Sequence, residues 1–292
     1  QRVADELRDG RIVVVAGFQG ATEDMEVTTL GRGASDLSAV ALAAKLDADL
    51  CEVYTDVDGI YTANPNLVPT ARRLDQIGFE EMLEMASYGA KMNPRSIEFA
   101  MVYNVPIRVA SSFGDGPGTL IHQESNMQPD IGELRNRVRG IATDTDVAMI
   151  CVQGLKDRPG IASRIFGALA QSDLSVDIIV QNTGDDGLSN IGFTVARSDL
   201  ARAREVTDQS ARELGALGVV SNDHLAKVSI VGTGMQNEPG YASRMFRVLA
   251  DTRINIEMVS TSEIRITCVV AETQVGVAAR ALHTAFELDS QG

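Results

Sequence analysis

Pro159-Gly160-Ile161-Ala162-Ser163-Arg164-Ile165-Phe166 returns 80 residues later as Pro239-Gly240-Tyr241-Ala242-Ser243-Arg244-Met245-Phe246. Leu169-Ala170 returns as Leu249-Ala250 at the same offset. Such self-similarity marks a duplicated structural unit. The apolar positions 162, 165, 166, 169 and 170 make one helical stripe, as do 242, 245, 246, 249 and 250. Each helix follows an apolar strand (148–152; 228–231) and precedes another (176–180; 254–258). Strands at 191–195 and 264–270 then lead into a second helix. The unit reads βαββα plus a last strand. Val219-Val220 supplies that strand for the first unit, and the spare apolar stretch 138–142 fills the same place for the second. In each repeated turn Pro fits the first helical position and Gly permits close approach. Asp157 before one turn and Asn237 before the other are placed to take a ligand ammonium, with helix N–H groups for its carboxylate. A plain structural turn is the alternative.

Upstream, residues 11–123 alternate strands and helices, which implies a sheet covered by helices. Residues 12–16 are a continuous apolar run, predicted as a strand buried on both faces. Further strands are predicted at 50–54 and 107–109, with helices at 79–90 and 94–103. Thr28-Thr29-Leu30-Gly31-Arg32-Gly33-Ala34-Ser35-Asp36 runs straight into a helical pattern, with Ser35 or Asp36 placed to cap it. A glycine-rich loop before a helix N-terminus favours an anion, and Arg32 suits a carboxylate or phosphate. A capping turn with a solvated Arg is the competing reading. Asp56, Asp58 and Gly59 crowd the C-terminal edge of a strand, where ligands of open α/β sheets sit. Lys91 ends a helix, within reach of a phosphate or simply satisfying the helix dipole. Residues 114–137 are rich in Gly and polar residues and read as a linker.

Composition bounds the function. The 292 residues carry 26 Lys+Arg against 40 Asp+Glu, a net charge of −14, which argues against nucleic acid as the main partner. No apolar run approaches the ~20 residues that span a bilayer. Cys51, Cys151 and Cys268 form no CxxC pair, so a reducing, cytoplasmic setting is expected. No metal site is expected either. His122, His224 and His283 are isolated, no HExxH occurs, and Asp56-Val57-Asp58-Gly59 lacks the EF-hand spacing. Walker A and GxSxG patterns are also absent, and neither GxG stretch completes a dinucleotide fingerprint.

Taken in order, TTLGRGASD, YTDVDGIYTANP, EEMLEMASYGAK, PRSIEFA and VPIRVASSF resemble the aspartate kinase family, and the tail, with INIEMVSTSEIRI, resembles its tandem ACT domains. The implied fold is α/β. It comprises part of an amino-acid-kinase (carbamate-kinase-like) αβα sandwich over 1–123, a linker at 124–137, and two ferredoxin-like βαββαβ ACT domains. The first ACT domain is expected at 146–223, the second from 138–145 with 224–292. The implied activity is ATP-dependent phosphorylation of L-aspartate to 4-phospho-L-aspartate, on the way to lysine, threonine and methionine. By matching position, Arg32, Gly33, Ala34 and Ser35 would line the aspartate site, with Arg32 and Asp36 catalytic. Ser35, Thr55, Asp56, Tyr61, Thr62, Ala63, Asn64, Pro65 and Lys91 would hold ATP, and Mg²⁺ would ride on its phosphates. Asp157, Pro159, Gly160, Ile161, Ala162, Gln181 and Asn182 would line one site for a lysine or threonine effector. Asn237, Pro239, Gly240, Tyr241, Asn255, Ile256, Thr261, Ser262 and Glu263 would contribute to its pair. A homodimer, or assembly with full-length or ACT-only subunits, is the implied state.

Two departures stand out. The family's GRGGSD has Ala34 at its third glycine, and Ala tolerates a positive φ poorly. The family's lysine-glycine-glycine phosphate loop does not occur in these residues, and the chain opens at Gln1 in what reads as half a helix. The expectation is a piece of a longer chain, inactive by itself. Two alternatives stay open: a non-catalytic, amino-acid-binding ACT fragment or subunit, and a kinase of another carboxylate.

Overall fold

The computed structural model describes residues 2–31, 33–123, 138–184, 187–235 and 239–290. They form two compact units. One is drawn from Gln1–Ala142, Val231–Glu238 and His283–Gly292, the other from Thr143–Ile230 and Pro239–Leu282.

The first unit opens with α1 (Arg2–Arg8) and a short antiparallel hairpin of β1 (Gln19–Ala21) and β2 (Val27–Thr29). Then come α2 (Ser35–Leu46), β3 (Cys51–Thr55), β4 (Gln76–Gly78), α3 (Phe79–Ser87), α4 (Pro94–Tyr103), β5 (Ile107–Ser111) and β6 (Thr119–His122). The sheet order is β3-β5-β6-β4. β3 lies parallel to β5, and β4 parallel to β6, while β5 and β6 are antiparallel. Helix α4 keeps the bounds its sequence sets. Asn93 caps it by accepting from the Arg95 N–H at 3.0 Å, Pro94 takes its first turn, and Asn104 ends it in the left-handed region. Val40 and Ala43 of α2, Met82 and Met85 of α3, and Ile97 and Ala100 of α4 pack on Ile77, Ile107, Val109 and Ile121 of the sheet. Each of these buried Val, Ile and Met side chains contributes about 1.5–3 kcal/mol.

Two strand expectations fail in this unit. Residues 12–16 form no strand, and Ile12 and Val14 are 96% and 94% exposed. No described strand pairs with them. Val13, Val15 and Ala16 instead line a cleft of about 370 Å³ with Val3, Leu7 and Leu42. Within the stretch read as linker, Thr119–His122 is a true strand, because it pairs with both β4 and β5. The 124–137 linker lies outside the described residues.

A buried carboxylate also sits here. Glu81 of α3 is 1% exposed, accepts from both the main-chain N–H and the hydroxyl of Thr233 at 2.9 Å, and pairs with the Arg139 guanidinium at 3.3 Å.

The second unit is one six-stranded sheet carrying the repeat. Its elements are β7 (Gly140–Lys156), α5 (Ile161–Gln171), β8 (Ile179–Thr183), β9 (Leu188–Val195), α6 (Leu200–Leu214), β10 (Gly218–Val231), α7 (Tyr241–Asp251), β11 (Met258–Thr261), β12 (Arg265–Ala271) and α8 (Val275–Ala285), of which the start of β7 and the ends of β10 and α8 belong to the first unit. The order β11-β12-β10-β7-β9-β8 contains two βαββαβ folds that share their central strands. β7 opens the first repeat and closes the second, and β10 does the reverse. Thus 138–142 leads into the strand the second repeat needed. Val219-Val220 and 228–231 are one continuous strand, since polar residues 221–224 do not interrupt pairing. The strands expected at 176–180 and 254–258 start later, at Ile179 and Met258. Ile161, Ile165 and Leu169 of α5 and Met245 and Leu249 of α7 are buried, whereas Ala170 and Ala250 at the stripe's edge are exposed.

The repeated turns differ from expectation. The helices begin at Ile161 and Tyr241, so Pro159 and Pro239 lie outside them. Gly160 and Gly240 are the N-caps, at φ +96° and +112°. An added Cβ would meet nothing within 4 Å at either. Glycine is needed there for its positive φ, not for close approach.

Candidate active site

The glycine loop is shaped by Gly31 and Gly33, at φ +105° and +73°. Ala34 has φ −83° and is 2% exposed, so the third position of the loop needs no positive φ and accepts a methyl group. Ala34 is also the N-cap of α2, with no side-chain cap. Ser35 and Asp36 therefore enter the helix instead of capping it. Ser38 steadies the loop: its hydroxyl donates to the Ala34 carbonyl and accepts from the Phe18 N–H, both at 3.0 Å. Arg32 lies outside the described residues.

Asp36 sits half-buried in the first turn of α2. Burial pushes its carboxyl above the usual range, opposed by a hydrogen bond from the Asn93 main-chain N–H. The Asn93 side chain donates to the Gly33 carbonyl at 3.2 Å. Asn93 thus holds both sides of the loop while capping α4. Sequence reading passed it over. The available signal was local, an Asn-Pro pair at a helix start, and it announces the cap but not the loop contact.

Two residues before Asn93, Lys91 meets the second motif. Its ammonium lies 2.9 and 3.2 Å from the Asp56 carboxylate oxygens, and Asp56 also accepts from the Thr55 hydroxyl at 3.0 Å. The Lys91 hydrogen bond comes first in holding the Asp56 carboxyl below the usual range, followed by the Thr55 hydroxyl. Both partners are exposed, so the pair is worth little to stability. It does poise a cation at the C-terminal edge of β3. Three stretches, 33–36, 55–56 and 91–93, are therefore brought together.

Gly59 has φ +151°, and an added Cβ would come within 2.5 Å of the Thr119 hydroxyl and 2.9 Å of Arg73 Cδ. The Tyr61 hydroxyl donates to Asp58 at 2.9 Å, and Tyr61 is held above its usual range by burial first and that carboxylate second. Asn64 and Pro65 are exposed, Asn64 accepting from the Asn66 N–H. Thr62 and Ala63 are 1% and 4% exposed, so their side chains pack inward.

In the second unit, the Asp157 N–H donates to the Gly187 carbonyl at 3.0 Å. Asn182 on β8 pairs with Asn190 on β9, and Lys156 with Leu188. Asp157 and the Gln181–Asn182 pair therefore share one end of the sheet, separated by one strand, roughly 10 Å. Pro159 and Gly160 are exposed there; Ile161 is buried and Ala162 half-buried. In the second repeat Pro239 and Gly240 are exposed and Tyr241 is half-buried. Asn255 donates to Glu257 at 3.1 Å, Ile256 is half-buried, Thr261 ends β11, and Ser262 and Glu263 form its exposed turn to β12. Asn237 lies outside the described residues. Among the described residues no group of three His, Cys, Asp or Glu side chains is placed to hold a metal ion. No described helix is long and apolar enough to cross a membrane.

The profile of the Amino acid kinase family matches residues 1–111, and that of the ACT domain matches 150–210 and 228–286. An aspartate kinase of Pseudomonas putida is 51% identical over 294 aligned residues, covering 99% of this chain and 70% of that protein. The chain belongs to the aspartate kinase family. Among solved structures, E. coli aspartokinase III in complex with aspartate and ADP (R-state) is similar with a TM-score of 0.74 at 30% identity, over 92% of this chain. The same enzyme with lysine and aspartate (T-state) gives 0.69 at 29% identity, again over 92%. The chain spans 59% of the length of each of those two chains. Family membership and the βαββαβ repeat agree: this is an amino acid kinase domain joined to ACT domains.

Proposed function

We propose that this chain carries the nucleotide site of an ATP-dependent aspartate kinase and a paired ACT module that reads a feedback amino acid. The observation that supports the kinase reading best is the convergence of the glycine loop, Asp56 and Lys91 through Asn93. Phosphoryl transfer asks the protein mainly for positioning and charge neutralisation. Lys91 supplies a positive charge, held in place by Asp56. The positive end of α2, preceded by the Gly31–Gly33 turn, suits an anionic group. Asp36 orients polar partners there. ATP supplies the phosphoryl group, and Mg²⁺ carried on its phosphates offsets their charge. L-aspartate is the acceptor, its product 4-phospho-L-aspartate, with Arg32 clamping a substrate carboxylate as the family resemblance implies. The ADP and aspartate in the E. coli relative support this reading.

The ACT reading is supported by the shared sheet end of Asp157, Gln181 and Asn182, and by the lysine in the T-state relative. Lysine or threonine is the effector class, bound between Pro-Gly turn and strand. The setting is cytoplasmic and the working state a homodimer or an assembly with related subunits.

Calorimetric titration tests both halves. Mg-ADP binds the wild-type chain, and Lys91→Met weakens it about tenfold or more. Lysine or threonine binds with Asp157→Ala abolishing one site. Wild type that takes neither ligand at millimolar concentration overturns the proposal. Effector binding without ADP binding leaves only the regulatory reading.

A further inference from the structure

Thr62 sits inside the segment proposed to hold the nucleotide, yet its hydroxyl never reaches that site. It lies 2.8 Å from Nε2 of His283, which stands 221 residues further along. His283 is fully buried near the end of α8. The Arg72 main-chain N–H donates to the same hydroxyl at 3.0 Å, and Arg72 Nε donates to the Leu288 carbonyl at 3.0 Å. The Thr62 main chain is held as well. Its N–H donates to the Arg72 carbonyl at 2.8 Å, and its carbonyl accepts from the Ile141 N–H at 2.7 Å. Every polar atom of Thr62 is thus engaged, by groups from three separate stretches that pack in one compact unit.

His283 is costly where it stands. A fully buried imidazole loses its hydration, and among the described residues its Nδ1 has no hydrogen-bond partner. An apolar side chain would fill the space without that cost. What the imidazole gains is its contact with Thr62, one residue after Tyr61 and three after Gly59.

We propose that His283 is a positioning residue for the nucleotide segment. Through Thr62 it fixes the path of 61–65, so that the backbone between Asp56 and Pro65 presents one conformation to the adenine nucleotide. The inference rests on the proposed nucleotide site and adds to it a residue that neither touches the ligand nor lies in the matching motifs.

The test is Mg-ADP binding to the intact chain by calorimetry, in a double-mutant cycle. Thr62→Val and His283→Leu roughly keep volume and each removes the hydrogen bond between them; Thr62→Val also removes the acceptor of the Arg72 N–H. Each is expected to weaken ADP about three- to tenfold, in line with loss of one buried hydrogen bond. The double variant is expected to be no weaker than Thr62→Val alone, because His283 acts through the hydroxyl that variant lacks. His283→Gln, whose amide reaches about as far as Nε2, restores affinity to within about twofold of wild type. Ile77→Val, a core change in the same unit, is the control; it lowers the melting temperature and leaves ADP affinity unchanged. Unchanged affinity in His283→Leu, additive losses in the double variant, or an equal loss in Ile77→Val each overturns the inference. If wild type binds ADP and the variants bind as tightly, only the role of His283 falls. If wild type does not bind ADP, the nucleotide reading falls and this inference with it.

Discussion

Replacing Glu81 with Ala is expected to cost the first unit about 3–5 kcal/mol. The carboxylate is 1% exposed, so its charge is balanced by protein groups and not by water. The Arg139 guanidinium, itself 15% exposed, loses the counter-charge 3.3 Å away. The half-buried Thr233 N–H and hydroxyl each lose a charged acceptor at 2.9 Å, and a hydrogen bond to a charged group contributes about 1.5–3 kcal/mol. These losses overlap, since one carboxylate serves all three groups, so the larger figure bounds the sum. For a unit of this size each kcal/mol moves the melting midpoint by about 2–4 °C, giving a fall of roughly 6–20 °C. The sequence supplies a convenient probe. There is no Trp, and four of the five Tyr (Tyr54, Tyr61, Tyr88 and Tyr103) belong to the first unit. Thermal unfolding followed by tyrosine emission therefore reports mainly on that unit. Glu81→Gln, which keeps one acceptor for Thr233, falls less. Unfolding of Glu81→Ala within about 1 °C of wild type refutes the reasoning.

Two further perturbations follow from the same unit. Gly59→Ala forces a Cβ against Thr119 and Arg73 at an unfavourable φ, and is expected to cost about 1–3 kcal/mol, read as a lower urea midpoint by the same emission. The His283 imidazole is held below its usual 6.5 by burial first, with Arg72 lowering it and Asp289 opposing. A lowered histidine leaves the unfolded chain binding more protons, so its contribution is complete above about pH 6.5 and is lost as pH falls through the lower folded value. Stability of the first unit should drop on acidification below that point, and His283→Gln should flatten the slope. An identical slope in the variant contradicts the assignment.

The duplicated unit was legible because each helix advertises a stripe and each turn repeats a Pro-Gly pair. The bounds of α4 were legible because Asn93, Pro94 and Asn104 set them locally. Residues 12–16 misled for the opposite reason. An apolar run announces burial, but a strand needs a neighbour, and none of the described strands pairs there. β6 was hidden because four residues after a Gly-rich stretch carry no period, only a partner on each side. The long β10 was read as two pieces because polar residues 221–224 resemble a turn. At the site, the glycine loop, Asp56 and Lys91 were marked by local chemistry. Asn93 and His283 were not, since what distinguishes them lies 60 and 221 residues away.

Hydrogen–deuterium exchange of the chain with and without Mg-ADP tests most directly whether the three stretches form one nucleotide site. Protection should rise together at 33–36, 55–58 and 89–93, and Lys91→Met should abolish all three increases at the same ADP concentration. Protection confined to one stretch, or appearing elsewhere with these three unchanged, contradicts the assembled site.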